Sequence, residues 1–132
     1  DRSLKITWEE LGKRCLDWEN HIKHFPNTPL LSEVKELQRI YLSTFLVGLS
    51  QSRVLHYGSY ILDDHDRKGL QIVFEAYQQI VQEHPTSDLA ELLEQYLPLL
   101  KDSDFRDTNE IQDFLKYRGI PSDYYADYVV DP

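Results

Sequence analysis

Between Tyr60 and Leu70 the chain reads YILDDHDRKGL, which sets His65 among Asp63, Asp64 and Asp66 and follows them with Arg67, Lys68 and Gly69. Carboxylates are hard oxygen donors and imidazole is a common metal ligand, so the run has the residue types of a divalent-cation site. The same residues suit the first turn of a helix. There a carboxylate accepts hydrogen bonds from unpaired backbone N–H groups and meets the positive end of the helix dipole, worth about 0.3–1 kcal/mol per contact. On that reading Asp63 or Asp64 caps a helix, and the three aspartates need no ligand.

Numbered as a twelve-residue calcium loop, the run puts Asp64 at position 1, Asp66 at 3, Gly69 at 6 and Glu75 at 12. Those positions call for oxygen donors, a sharp turn and a bidentate carboxylate. Position 5 is Lys68, a cation where an oxygen belongs, and position 8 is Gln71 where the pattern is apolar. A weaker copy starts at Asp102, with Asp104 and Asp113 at positions 3 and 12, Arg106 at 5 and Asp107 in place of glycine. Residues 53–118 thus resemble a degenerate pair of EF-hands. The resemblance implies calcium as the ligand of Asp64, Asp66 and Glu75, with Lys68 on the position that should bind.

The dipeptide His65-Asp66 also resembles the pair that names the helical HD phosphohydrolases. That resemblance implies a divalent metal shared with a further histidine (His21, His24 or His56) and with Asp102 or Asp104. The pair here is flanked by charge, and HDRKG lacks the apolar residue that usually follows it.

Other catalytic chemistry has less material. Cys15, the one cysteine, lies between Leu11 and Trp18 on an apolar stripe and reads as a buried small hydrophobe. His21 and His24 stand in the last turn of a helix, where a partial positive charge complements the dipole, and His84 reads the same way. Five glycines form no phosphate-binding loop.

The elements that must position these residues are helices. Trp8, Leu11, Cys15, Trp18, Ile22 and Phe25 follow one another at spacings of 3, 4, 3, 4 and 3, one face of a helix. Thr7 and Glu10 form a capping-box pattern, with Ile6 and Leu11 as a hydrophobic staple, and Pro26 ends the helix. A second helix is predicted to open at Thr28-Pro29 and to carry Leu30, Val34, Leu37, Tyr41 and Phe45; the run YLSTFLVGL predicts burial on more than one side. Residues 50–63 fit a short helix, a hairpin around Gly58 or a buried loop.

A third helix carries Leu70, Val73, Tyr77, Ile80 and Val81 and stops at Pro85. A fourth begins near residues 86–88 with Leu89, Leu92, Leu93, Tyr96 and Leu100 on one face; Pro98 within it predicts a kink or an early end. Asp107 to Glu110 reads as another capping box, before a short helix with Ile111, Phe114 and Leu115 that closes at Arg118 and Gly119. The expected fold is all-α: residues 1–132 as a single compact bundle of five or six helices with short loops.

Composition narrows the function. The chain has 23 acidic and 14 basic side chains and a net charge of −9, a field that repels nucleic-acid phosphates and favours basic partners. Residues 102–132 hold eight acidic side chains against Arg106, Lys116 and Arg118. No apolar stretch reaches the roughly 20 residues of a membrane helix, so no membrane insertion is expected. The chain starts at Asp1 and contains no methionine, so its native start is read as missing and its compartment, cytoplasmic or exported, is left open.

The tail GIPSDYYADYVVDP combines that acidity with aromatic residues: Asp123, Tyr124, Tyr125, Asp127 and Tyr128. If helical, it sets Tyr124 and Tyr128 on one face, and tyrosine supplies large contact area at low entropic cost. SDYY resembles the acidic twin-tyrosine helix of the bacterial DNase-colicin immunity proteins, which implies nuclease inhibition as one form of partner binding. The expected function is therefore a non-catalytic protein-interaction domain that uses these five residues against a basic protein and needs no cofactor. The alternative is a degenerate EF-hand calcium domain through Asp64, Asp66, Lys68 and Glu75, and the third reading is a metal-dependent helical hydrolase.

Overall fold

The first helix forms where its local signals place it. Thr7 is extended and its Oγ1 accepts a hydrogen bond from the Glu10 N–H at 3.0 Å, while Glu9 and Glu10 occupy the first turn and His21, Lys23 and His24 the last. This is α1, Trp8–His24. The computed structural model describes residues 3–123. Four more helices follow: α2 Leu31–Val47, α3 Asp64–Glu83, α4 Asp88–Ser103 and α5 Asn109–Tyr117. Between α2 and α3 lie two short antiparallel strands, β1 Gly48–Leu49 and β2 Ser52–Arg53. The architecture is an all-α bundle.

One apolar core draws on all five helices. Leu11 and Cys15 of α1 meet Phe45 and Leu46 of α2, Val73 and Tyr77 of α3, Leu93, Tyr96 and Leu100 of α4, and Ile111 and Leu115 of α5. Phe45 and Tyr77 pack edge to face with centroids 4.9 Å apart, an arrangement favoured by the ring quadrupoles. Residues 43–47 are all buried, so the C-terminal end of α2 is enclosed on more than one side, as the run YLSTFLVGL predicts, whereas α1 is the helix that packs against α2, α3 and α4.

A helix end buried in a core must find partners for its last carbonyls. At α2 every one of the four does. The Gly48 N–H bonds Thr44 O. The Tyr77 hydroxyl donates to Phe45 O at 2.5 Å and the Tyr96 hydroxyl to Leu46 O at 2.8 Å. The Val54 N–H reaches Val47 O at 2.9 Å, which is possible because the chain reverses through Ser50 and Gln51. Gly48, where α2 gives way to β1, stands at φ +91°, and a Cβ there would be 2.1 Å from Ser52 O. The hairpin is thus centred on Ser50-Gln51 and not on Gly58.

Three further expectations are corrected. The α2 helix begins at Leu31 without a side-chain cap, because Thr28 Oγ1 bonds the Leu30 N–H and closes a separate turn. Of the kink or early end expected at Pro98, the early end does not occur, since α4 continues to Ser103; Glu94 and Pro98 are both exposed, so water can take the carbonyl that proline leaves unpaired. At α5 the cap is Thr108, whose Oγ1 accepts from the Ile111 N–H, and not Asp107. Any helical turn in residues 124–132, the sixth helix of the expectation, lies outside the described residues.

Candidate functional site

The first turn of α3 decides how the aspartate run is used. The Asp63 side chain accepts from the Asp66 N–H at 2.8 Å and Asp66 Oδ2 accepts from the Asp63 N–H at 3.1 Å, a reciprocal capping box. From Asp64 to Glu83 the chain is helix. The twelve-residue calcium loop of the alternative reading is therefore not formed. Asp64 and Glu75 lie eleven residues apart on one helix, about 16 Å along its axis at 1.5 Å per residue, and cannot meet on a single ion. Lys68 is exposed, and Glu75 accepts from Gln71 Nε2.

The second half of that reading is also put to structural use. Asp104 takes both arms of the Arg67 guanidinium, at 2.5 and 2.7 Å, so the two presumed loops are joined as an ion pair. Arg67 holds the Asp104 carboxyl below its usual range. Among the described residues no three His, Cys, Asp or Glu side chains converge as a metal site.

What the capping box does build is one wall of a cleft of about 520 Å³. Its lining includes Trp8 of α1, Arg53 of β2, His56, Tyr57 and Tyr60 of the following loop, and His65 and Asp66 of α3. The Tyr60 hydroxyl donates to Asp66 Oδ2 at 3.1 Å. Hydrogen bonds from the Asp63 backbone and from Tyr60 hold the Asp66 carboxyl low, and the bond to Asp66 pushes the Tyr60 hydroxyl up. His56 stacks on Tyr60 with centroids 5.4 Å apart. Burial lowers its pKa from the ordinary 6.5; Asp66 opposes this, and Arg106 and Arg53 add to it.

The loop that carries these rings is pinned at several points. His56 N–H bonds Phe105 O at 2.9 Å and Asp107 N–H bonds His56 O at 2.8 Å, a parallel bridge to the α4–α5 connection. Arg106 Nη1 donates to Tyr57 O and to Tyr60 O. Asp104 and Phe105 hold the facing turn at φ +54° and +59°, a left-handed conformation that a bulky side chain such as Phe105 rarely adopts. Arg53 lies over the Tyr57 ring at 5.3 Å.

No known protein family, curated protein or solved structure matches this chain. Its function rests on the chemistry of its own surface.

That surface has an unusual feature at the cleft rim. Tyr57 and Tyr60 of the cleft lining are 65% and 45% exposed, and Ile61, next in the chain but outside that lining, is 85% exposed. Of the five residues expected to bind a partner, Asp123 is exposed after Ser122, whose hydroxyl donates to Gln112 Oε1. Tyr124, Tyr125, Asp127 and Tyr128 lie outside the described residues. Of the HD constellation, His56 shares the cleft lining with His65 and Asp66, but His24 Nδ1 is engaged with Asn20 O and Asp104 with Arg67, and among the described residues no three such side chains converge as a metal site.

Sequence reasoning did not single out Arg53, Tyr57, Tyr60 and Ile61 as candidate site residues, and it named His56 only as an optional ligand of the HD resemblance. The signal was present in HYGSYILDD, an aromatic run with neither a 3.6 nor a 2 period beside glycine and aspartate. Such residues have no face of an element to pack under, and a loop that keeps them is a common place for binding groups.

Proposed function

We propose that this chain is a non-catalytic protein-interaction module that binds its partner through the aromatic rim of the cleft. The observation that carries the reading is the exposure of Tyr57, Tyr60 and Ile61 on a loop held by backbone and arginine hydrogen bonds. A pinned aromatic surface loses little conformational entropy on binding, which is the property of hot-spot residues. The net charge of −9 favours a basic partner and speeds encounter with it. The acidic tyrosine-rich tail, Asp123, Tyr124, Tyr125, Asp127 and Tyr128, is proposed as a second contribution to the same recognition.

The test is a photo-crosslinking residue placed at position 61, with captured proteins identified and quantified by mass spectrometry. Tyr57→Ala combined with Tyr60→Ala should abolish the specific capture, and Tyr124→Ala with Tyr125→Ala should reduce it. Tyr117→Ala, at the 89% exposed Tyr117 of α5, should leave it unchanged. Equal recovery from the cleft variant and the Tyr117 control removes the cleft as an interface.

A further inference from the structure

A second concave surface lies on another side of α1. Between α1 and α3 runs a groove of about 500 Å³, lined on α1 from Thr7 to Asn20 and on α3 from Ala76 to Glu83, with His84 at its end. It shares no lining residue with the cleft. Its floor is apolar: Leu16, Ala76 and Ile80 are each 7% exposed. The helices come close beneath it at Gly12, where a Cβ would stand 3.0 Å from Ile80 Cδ1, so above that contact the longer side chains diverge and leave the groove open.

The walls have one dominant sign. Glu9, Glu10 and Asp17 of α1 face Glu83 of α3, against the single ammonium of Lys13. Glu10 is drawn toward Arg14 at 3.7 Å and Glu83 accepts from Gln79, and the α3 wall of the groove presents no lysine or arginine to the α1 carboxylates. An apolar floor between acidic walls is complementary to a segment with apolar residues along one face and cations on both sides of it. The length fits the same occupant: Thr7 to Asn20 spans about 20 Å at 1.5 Å per residue, the length of a helix of roughly thirteen residues.

We propose that the α1–α3 groove is a docking site for a basic amphipathic helix of a partner protein. Its apolar stripe lies over Leu16, Ala76 and Ile80, and its lysine or arginine side chains reach Glu9, Asp17 and Glu83. The site is independent of the cleft, so either can fail while the other stands.

The probe is a synthetic fluorescein-labelled helical peptide of about fourteen residues, with leucine at i, i+3, i+4 and i+7 and lysine at the flanking positions. Binding is followed by fluorescence anisotropy. The wild-type chain should bind it with a Kd below about 100 µM and should not bind the same peptide with glutamate in place of lysine. Asp17→Lys combined with Glu83→Lys should weaken binding by about tenfold or more. Gln79→Trp, which fills the groove without changing its charge, should do the same while the far-ultraviolet circular dichroism stays unchanged. Glu110→Lys with Asp113→Lys on α5 changes the net charge equally, and its effect should stay under about twofold. Tyr57→Ala with Tyr60→Ala should leave the peptide affinity as it is. No binding by the wild-type chain overturns the proposal. So does an equal loss in the α5 control, or undiminished binding by a folded Gln79→Trp variant.

Discussion

The carboxylate of Glu19, buried in α1, accepts the backbone N–H of Leu89 in α4 at 2.9 Å, across seventy positions of chain. Its other oxygen accepts the Asp88 N–H at 3.0 Å and the Lys23 ammonium at 3.1 Å. Ser87 Oγ takes the Ala90 N–H, and the Ser87 N–H bonds His84 O. The four N–H groups that a helix start leaves without intrahelical partners are all satisfied. Half of the work is done by a residue from another helix.

Glu19→Ala should therefore destabilise the fold by about 1–3 kcal/mol, since it strands the buried Leu89 N–H and the part-buried Asp88 N–H. Glu19→Gln, which keeps one acceptor oxygen, should cost less, and Ser87→Ala about 1 kcal/mol. Urea denaturation measures all three. A cost for Glu19→Ala below about 0.5 kcal/mol, the level of an ordinary surface substitution, would show that the cap is not a support.

The hydroxyls of Tyr77 and Tyr96 give the fold an alkaline limit. Both start from an ordinary pKa of 10.0 and burial pushes both upward. The unfolded chain releases these protons above pH 10 and the folded chain keeps them, so the unfolded state binds fewer protons there. Stability should be fully present below pH 10 and fall above it, by about 1.4 kcal/mol per pH unit for each group. The Cys15 thiol, raised from 9.0 chiefly by burial, adds a similar loss that begins one unit lower. Tyr77→Phe should remove one tyrosine contribution to the alkaline slope and cost about 1–3 kcal/mol at neutral pH by orphaning Phe45 O. An alkaline slope identical in Tyr77→Phe and wild type would contradict the buried hydrogen bond.

Gly69 separates the helical and the calcium-loop readings of the aspartate run. A loop glycine at a sharp turn tolerates no side chain. In α3 a Cβ on Gly69 would meet nothing within 4 Å, and alanine there should raise stability by about 0.5–1 kcal/mol through helix propensity. Gly48→Ala should do the opposite, losing about 1–3 kcal/mol to backbone strain and more to the contact with Ser52 O. Thermal melts of the two variants should move in opposite directions. Destabilisation by Gly69→Ala would restore the loop, and a calcium-dependent rise in the melting temperature of wild type or Lys68→Asp would restore its ligand.

Local signals carried much of the fold. The cap at Thr7, the apolar spacing of α1, the stop at Pro85 and the buried stripe Leu70, Val73, Tyr77 and Ile80 all depend on residues within one or two turns of each other. The same signals gave Asp63 its role as a cap. They misled at Pro98, where solvent exposure makes the lost hydrogen bond tolerable, and at Phe25 and Leu30, on-stripe residues that are 56% and 61% exposed and lie just beyond the helices, as the C-cap of α1 and the N-cap of α2.

The sequence by itself therefore determined the helical class, most helix limits and the acidic character of the chain, because propensity, capping and charge are properties of short stretches. Only the tertiary structure decided that Glu19 caps α4, that Tyr77 and Tyr96 finish α2, that Arg67 ties α3 to Asp104, and that Tyr57 and Tyr60 line a cleft with Ile61 exposed beside them. Each of these joins or places residues far apart in the chain. The physical reason is that a carboxylate or hydroxyl has the same local signature whether it faces water or another helix, and only packing settles which.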